Sequence, residues 1–258
     1  MLFIRTGQHA KLSEYQKQLF KKQLAGHLET FFPFQTWVAG KGSVALFVEM
    51  GVEQAMADGF DTRATVQSYL DHMVLLGMDF CQNPLYADIV APLWDKEIDD
   101  LVERHDRLYD LAWDYLDKTR GPDAAGLFKA VIRLRAWLSD SGRQPASDTG
   151  AMVLHLAAVF PEKAAAHTPQ TLALFCGEAL RKSRDSGFVQ SGAQTLYTTA
   201  AFLAGLGFSG DPLCTGAAPE QVKALVQATE PDERSGLLAA WVSLYLDKMI
   251  QAAGLTNL

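Results

Sequence analysis

The sequence predicts an all-α protein built from two tandem copies of one helical-bundle unit. The first observation is that the chain repeats a pattern of apolar, glycine and proline residues 128 positions apart. The second is that apolar residues recur every three or four positions, which is the period of an amphipathic helix. The third is that neither half contains an alternating apolar and polar run long enough to indicate a strand.

The repeat is visible when residues 27–85 are placed over residues 155–213 without a gap. Fifteen of the 59 positions are then identical, far more than composition produces by chance. In the first window the identical positions are His27, Leu28, Phe32, Pro33, Ala45, Leu46, Phe47, Gly59, Phe60, Tyr69, Leu75, Gly77, Phe80, Pro84 and Leu85. The chain is therefore interpreted as a duplicated unit rather than an array of many repeats.

A second match, between AWDYLDK at 112–118 and AWVSLYLDK at 240–248, extends the repeat with two inserted residues. The predicted division is a first helical copy at 1–122, a connecting helix and linker at 123–146, and a second copy at 147–258.

Residues typical of helix starts and ends predict the boundaries of the first three helices of the unit. Ser13 and Gln16 form a capping-box pattern ahead of an apolar stripe that Pro33 ends. A second helix is predicted at 43–58 and a third at 62–76, each followed by a glycine suited to a helix C-terminus. The repeated glycines and prolines are therefore interpreted as helix boundaries, and the repeated tyrosine and phenylalanines as core.

The remaining helices follow from the same signals. A turn at Pro84 precedes a short helix at 86–94, and a long helix is predicted at 96–118. A connecting helix is predicted at 124–138, before the polar linker SDSGRQPASDTG at 139–150. The second copy is expected to repeat the order of the first.

Composition is that of a globular protein, with 258 residues, 48% of them hydrophobic and 21% charged. The N-terminus lacks the apolar run and cleavage site of a signal peptide, and no stretch approaches the roughly 20 apolar residues that span a bilayer. These features predict a soluble cytoplasmic protein that does not enter membranes. The three cysteines are odd in number and form no Cys-x-x-Cys pair, so free thiols are expected.

The net charge of −7 is concentrated in one part of the chain. Residues 1–128 carry 12 basic and 19 acidic residues, whereas residues 129–258 carry 11 of each. This acidity argues against nucleic acid as a partner, because phosphates require a basic face. A charged partner is expected to be basic and to meet the first half.

Catalytic motifs are not recognisable in the sequence. The six histidines form no metal-binding pair, and neither a nucleophile elbow nor a phosphate or dinucleotide loop occurs. His27 and His155, which are equivalent in the repeat, are expected to make structural hydrogen bonds. The prediction is a protein without catalytic residues, cofactor or metal; the alternative is a helical enzyme whose site assembles from distant residues such as Asp71, His72 and His105.

Two groups of residues in the first copy are candidates for binding a partner. One is the acidic run of Asp95, Glu97, Asp99, Asp100 and Glu103, which is interpreted as a solvated helix N-terminus rather than a cation site. The other is the pair Phe34 and Trp37, whose counterparts in the second copy are Glu162 and Ala165. Positions that are aromatic in one copy and charged or small in the other are either exposed interface anchors or contacts between the copies.

The first copy resembles a family of uncharacterised proteobacterial proteins encoded beside type VI secretion spike and effector genes. The residues that carry the resemblance are His27, Leu28, Phe32, Pro33, Gly59, Phe60, Tyr69, Met73, Gly77, Phe80 and Pro84, within residues 10–95. The resemblance implies a small cytoplasmic accessory protein. Its role would be that of an adaptor or chaperone for a secreted effector or spike component, or of an immunity protein that neutralises the effector. A structural scaffold is the remaining alternative.

Overall fold

Helices form the whole secondary structure of the part of the chain that the computed structural model describes, which is residues 6–140, 145–146, 148–231 and 233–255, with side chains described from residue 15 onward. The helices of the first half are α1 Thr6–Phe31, α2 Pro33–Ala39, α3 Lys41–Ala57, α4 Arg63–Leu76, α5 Ala87–Val90 and α6 Leu101–Arg120. The connecting helix is α7 Ala125–Ser139. The second half contains α8 Thr149–Val159, α9 Pro161–Ala165, α10 Pro169–Asp185, α11 Ser191–Ala204, α12 Pro212–Thr215, α13 Pro219–Ala228 and α14 Arg234–Ala252. The all-α prediction is confirmed for these residues.

The third predicted helix matches α4 closely, because its ends carry strong local signals. The Thr62 hydroxyl accepts a hydrogen bond from the amide of Thr65 at the N-terminus, and Gly77 ends the helix with a positive φ of 96°. The predicted start of the first helix at Ser13 is wrong, since α1 already runs from Thr6. Pro33 separates two helices as expected, and it also begins α2, where the missing amide hydrogen of proline costs nothing.

The predicted start of the long helix at residue 96 is also wrong, because α6 begins at Leu101. The carboxylate of Asp95 accepts a hydrogen bond from the amide of Glu97, and that of Asp100 accepts one from Val102. Aspartate side chains that bind their own backbone two residues on favour turns over helix. Asp100 consequently serves as the N-cap of α6.

Helix boundaries in the two halves correspond at a fixed offset of 128 residues. The start of α2 at 33 corresponds to the start of α9 at 161, α3 at 41–57 to α10 at 169–185, and α4 at 63–76 to α11 at 191–204. Short 3-10 turns at 80–82 and 208–210 follow the same rule.

Buried contacts correspond at the same offset. Tyr69 packs on Phe80 with ring centroids 5.1 Å apart, and Tyr197 packs on Phe208 at 4.7 Å. His27 bonds through Nε2 to the Asp71 carboxylate at 2.9 Å, and 128 residues later Nε2 of His155 bonds to the Thr199 hydroxyl at 3.0 Å. The expectation that these two histidines make hydrogen bonds within the fold is confirmed.

The two halves share one contiguous hydrophobic core. Helix α2 of the first half packs against α12 and α14 of the second, α6 packs against α9, and the connecting helix α7 packs against α6 and α14. A cavity lies where these elements meet. None of the helices in the described residues has the length and apolar character needed to cross a membrane.

Candidate functional site

The predicted acidic run lies at and before the N-terminus of α6. Glu97, Asp99 and Asp100 are exposed, and Asp95 is half-buried in the turn that it stabilises. The fifth residue, Glu103, is exposed in the first turn of the helix and pairs with Arg107 one turn later. Carboxylates at this end of a helix complement its dipole, as expected for a solvated N-terminal turn.

Acidic residues continue along the outer face of α6. The stretch from Asp95 to Asp117 contains nine acidic and three basic residues, a net charge of −6 within a chain whose total is −7. The later members are the exposed side chains of Asp106, Asp110, Asp114 and Asp117. Lys118 and Arg120 in the last turn of α6 bring the net charge of residues 95–120 to −4, so the negative field of this part of the molecule is centred on residues 95–117.

Two aromatic side chains stand among these carboxylates. Tyr109 and Trp113, one turn apart on α6, stack with ring centroids 6.0 Å apart and an interplanar angle of 15°. They are 49% and 57% exposed, and Val102, two turns earlier on the helix, is also exposed. We call the surface formed by Val102, Tyr109, Trp113 and the surrounding carboxylates the acidic aromatic face.

The predicted aromatic pair, Phe34 and Trp37, separates into one exposed and one inward side chain. Both lie in helix α2. Trp37 is 52% exposed. Phe34 is half-buried, packs edge-on against Phe128 of the connecting helix at 5.7 Å and lines the cavity between the halves. The exposed-anchor interpretation thus fits Trp37, and the internal-contact interpretation fits Phe34.

The residues of the alternative enzyme site are distributed over two environments. The Asp71 carboxylate accepts a hydrogen bond from Nε2 of His27, between α1 and α4. His72 and His105 are instead buried on either side of Ser68: Nδ1 of His72 donates to the Ser68 carbonyl at 2.7 Å, and Nδ1 of His105 bonds to the Ser68 hydroxyl at 3.0 Å. A serine and a histidine are therefore in contact, but the carboxylate predicted beside them serves a different histidine.

Burial sets the protonation state of these two imidazoles. It lowers the pKa of His72 and of His105 to about 4, because a charged ring loses its hydration there, and the proximity of His72 lowers the pKa of His105 further. Both rings are therefore neutral at pH 7, and the Nε2 atom of each is buried without a hydrogen-bond partner in the described residues. A base with so low a pKa is weak, which favours a packing role.

Within the described ranges no three His, Cys, Asp or Glu side chains converge in an arrangement that could hold a metal ion. The three cysteines Cys81, Cys176 and Cys214 are free thiols.

The cavity between the halves is a concave feature in which several polar groups converge. Its volume is about 360 Å³, and its walls come from α2, α4, α6, α7, α9, α11, α12 and α14. Most of the lining is apolar or aromatic. The polar exceptions include two cations, Arg120 and Lys163, and the tyrosines Tyr86, Tyr115 and Tyr245.

The two cations have only uncharged partners. Nη2 of Arg120 donates to the Leu75 carbonyl at 2.6 Å, and Nζ of Lys163 donates to the Phe202 carbonyl at 2.5 Å and to the Tyr86 hydroxyl at 3.3 Å. Burial lowers the pKa of Lys163 to about 7, and the nearby Arg120 guanidinium lowers it further. Burial likewise lowers the pKa of Arg120.

Sequence reasoning missed both features. The acidic aromatic face had a readable signal, since Val102, Tyr109 and Trp113 recur at helical spacing in a stretch rich in aspartate. The cavity had none, because Arg120 and Lys163 lie 43 positions apart in the chain and only the packing of α6 against α9 joins them.

Comparison with known proteins assigns no relationship: no protein-family model, curated protein or solved structure matches the chain.

Proposed function

We propose that this protein is a non-enzymatic cytoplasmic binding protein whose acidic aromatic face receives a basic segment of a secreted effector or of a spike component. The single observation that carries the proposal is the acidic aromatic face itself. It combines the nine acidic residues of 95–117 with two exposed, stacked aromatic rings on one helix.

Charge and apolar surface have separate roles in such a contact. A concentrated field of one sign speeds encounter with a partner of the opposite sign and selects against like-charged proteins. Charge alone adds little affinity, which comes from large side chains that become fully desolvated, and tryptophan and tyrosine are the most frequent of these. Tyr109 and Trp113 are already stacked, so less conformational freedom is lost on binding. Trp37 would contribute a further anchor on α2.

The class of partner comes from the resemblance of residues 10–95 to proteins encoded beside type VI secretion genes. An adaptor or chaperone would bind a loading segment, and an immunity protein would bind the toxic domain. The correspondence of helix boundaries and buried contacts at an offset of 128 residues supports an internal duplication. The acidic aromatic face is not repeated in the second half, where Trp241 and Tyr245 lie among few carboxylates. We therefore assign partner binding to the first half.

The test begins with the identity of the protein that co-purifies with this one from its native cell. That protein is then produced separately, and its binding is measured by surface plasmon resonance against wild type and against a variant with Tyr109→Ala and Trp113→Ala. The expected result is at least tenfold weaker binding by the variant. Unchanged binding by this variant, with loss of binding after substitutions in the second half, would overturn the assignment.

The same reconstituted pair separates the two roles. If the partner has a toxic activity, an immunity protein suppresses it at one-to-one stoichiometry. An adaptor leaves the activity intact and instead increases secretion of the partner. A partner that is acidic, or that has no connection with secretion, would contradict the proposal.

A further inference from the structure

The cavity between the halves is lined by two cations, Arg120 and Lys163, that form no ion pair with a described carboxylate. Among the described residues, the carboxylates that form ion pairs are paired with cations other than Arg120 and Lys163. Two acidic residues also line the cavity: Glu162 faces Arg133 at 3.7 Å, and Asp211 accepts a hydrogen bond from the Leu213 amide at 2.8 Å. Burial raises the pKa of Asp211 to about 7, so most of this carboxyl is neutral at pH 6.5. Burying an unpaired charge is costly, so proteins retain such groups chiefly where they bind something.

The fold itself does not require these charges. Lys163 is the third residue of α9, and the third residue of α2, 128 positions earlier, is the neutral Gln35. Both residues line the same cavity.

Tyr115 and Tyr245, which occupy matching places in the related segments at 112–118 and 240–248, also both line the cavity. Arg120 lies five residues after Tyr115, whereas the residue five after Tyr245 is Ile250. The cations Arg120 and Lys163 thus have uncharged counterparts, Ile250 and Gln35, at the corresponding positions of the sequence.

The donors are arranged for an oxyanion. A guanidinium offers five N–H groups, of which one is used on the Leu75 carbonyl, and the Lys163 ammonium has three, with two directed at described acceptors. Free donors therefore remain on both groups. Lys163 is held in place by its two hydrogen bonds and lies over the Phe202 ring at 4.9 Å, which fixes the position of its charge.

The rest of the cavity defines the body of the ligand. Phe34, Val38, Leu127, Phe128 and Leu203 are among the apolar side chains that line it. The volume of about 360 Å³ corresponds to roughly 12 water molecules at about 30 Å³ each. A ligand of about ten non-hydrogen atoms with one charged end would fill it. Inorganic phosphate would leave the apolar walls without a partner.

We propose that the cavity between the halves is a binding site for a small organic carboxylate with an apolar body, whose head group lies between Arg120 and Lys163. Arginine favours this class because its planar fork matches a carboxylate. The site is separate from the acidic aromatic face, and the proposal is independent of the protein partner.

The experiment is isothermal titration calorimetry of the full chain at pH 6.5 with sodium octanoate. Three further probes separate the contributions: octanol has the same body without charge, octylammonium reverses the charge, and inorganic phosphate has charge without the body. Octanoate is expected to bind at least tenfold more tightly than each of the other three. Equal binding of octanol, tighter binding of phosphate, or no binding of octanoate would overturn the proposal.

Variants test the head-group contacts. Lys163→Met keeps the apolar stem and removes the charge, and is expected to weaken octanoate binding at least tenfold while leaving octanol binding unchanged. The matched control is Lys223→Met, the same substitution at an exposed position of α13 outside the cavity, which should bind octanoate within about twofold of wild type. Undiminished binding of octanoate by Lys163→Met would contradict the assignment.

A measurement on the wild-type chain covers the case in which Lys163→Met does not fold. A photoactivatable diazirine analogue of octanoate is cross-linked, and the modified peptides are identified by mass spectrometry. Labelling is expected on cavity residues from α2, α7 or α9 and should be competed by octanoate but not by octanol. Labelling confined to the outer surface would overturn the proposal.

Discussion

Gly77 and Gly205 lie against each other where the two halves meet. A Cβ atom added to Gly77 would stand 2.7 Å from the Cα of Gly205, and one added to Gly205 would stand 2.8 Å from the Cα of Gly77. Both residues end a helix with nearly the same backbone angles, φ 96° and ψ 159° for Gly77 and φ 105° and ψ 156° for Gly205. The contact relates equivalent positions, and it brings α4 and α11 together beside the cavity.

Replacement of Gly77 by alanine is expected to destabilise the protein strongly. The new methyl group would lie 2.5 Å from the carbonyl oxygen of Ala204, which is backbone and cannot move aside without shifting α11. The overlap lowers the free energy of unfolding by about 1–3 kcal/mol. The backbone angles of Gly77 are nearly restricted to glycine, and a side chain there costs a further amount of about 1–3 kcal/mol. Urea unfolding at pH 7 measures the loss.

Two other glycines separate these contributions. Gly40 ends α2 with φ 86° and ψ 154°, and a Cβ there would meet nothing within 4 Å, so Gly40→Ala reports the backbone cost alone. Gly177 lies inside α10, and a Cβ there also meets nothing within 4 Å. Gly177→Ala should therefore raise the free energy of unfolding by about 0.5–1 kcal/mol. If Gly77→Ala and Gly40→Ala cost the same, the close contact of the two halves is contradicted.

The position of Gly77 also illustrates how far sequence reasoning reaches. Local signals, a threonine cap and a terminal glycine, placed α4 correctly. The signals at Asp95 and Asp100 were misread because aspartate near a helix start can extend the helix or hold a turn before it, and side-chain geometry decides between the two. The contact between Gly77 and Gly205 could not be predicted from the sequence. Residues typical of helix ends indicate where a helix stops but not which element it packs against.

Acid is expected to destabilise the protein through its buried histidines. Burial lowers the pKa of His72, His105 and His167 to about 4, against about 6.5 in the unfolded chain. Between pH 6.5 and 4 the unfolded state binds these protons and the folded state does not, so the free energy of unfolding falls as pH falls, by up to about 1.4 kcal/mol per pH unit for each ring. Asp211, whose pKa burial raises to about 7, acts in the opposite direction. Urea unfolding at pH 7, 6 and 5 should show a net loss.

A single variant isolates one of these protons. His105→Phe removes a titrating ring that already packs edge-on against Phe60 at 4.8 Å. Whatever its absolute stability, its free energy of unfolding relative to wild type should rise by about 1.4 kcal/mol per pH unit as pH falls from 6.5 towards 4. A difference that does not depend on pH would show that His105 is charged or exposed in the folded protein.

Alkaline pH is expected to reveal the buried ammonium of Lys163. Burial and the neighbouring Arg120 lower the pKa of Lys163 to about 7, whereas the unfolded chain has the ordinary lysine value near 10.4. Between these values only the unfolded state binds the proton, so the stability of wild type relative to Lys163→Met rises with pH by up to about 1.4 kcal/mol per unit, and below pH 7 the difference is constant. Of the surrounding groups, Tyr86 has a pKa that burial raises to about 12 and that of His167 is about 4, so neither titrates in this window. Asp211, which lines the same cavity, has a pKa that burial raises to about 7, and because it is present in wild type and variant alike its titration cancels in the difference.

Denaturant unfolding from pH 6 to pH 10 of wild type, Lys163→Met and Gln35→Met provides the measurement. The Gln35→Met difference should not change with pH, because neither side chain titrates. A Lys163→Met difference that is equally constant would contradict burial of the ammonium. The local sequence around Lys163 is typical of a surface residue, and only packing of the surrounding helices removes its ammonium from water. The cavity could therefore not be predicted from the sequence.

The last prediction concerns the rates of partner binding, which separate the charge of the acidic aromatic face from its aromatic rings. Reversal of Glu97 and Asp99 to lysine removes much of the field that steers a basic partner, so the association rate at low salt should fall about tenfold or more and its salt dependence should flatten. Asp95 and Asp100 are changed to Asn in the same variant, because asparagine can accept the backbone hydrogen bonds that hold the turn and the N-cap of α6. Trp113→Ala or Trp37→Ala should instead mainly raise the dissociation rate, because a desolvated anchor is lost after encounter.

Glu220→Lys, a charge reversal at an exposed position of α13, is the control and should leave both rates within about twofold of wild type. Surface plasmon resonance at two salt concentrations checks all four, and an association rate that falls equally for Glu220→Lys would show that total charge, rather than this face, guides the partner.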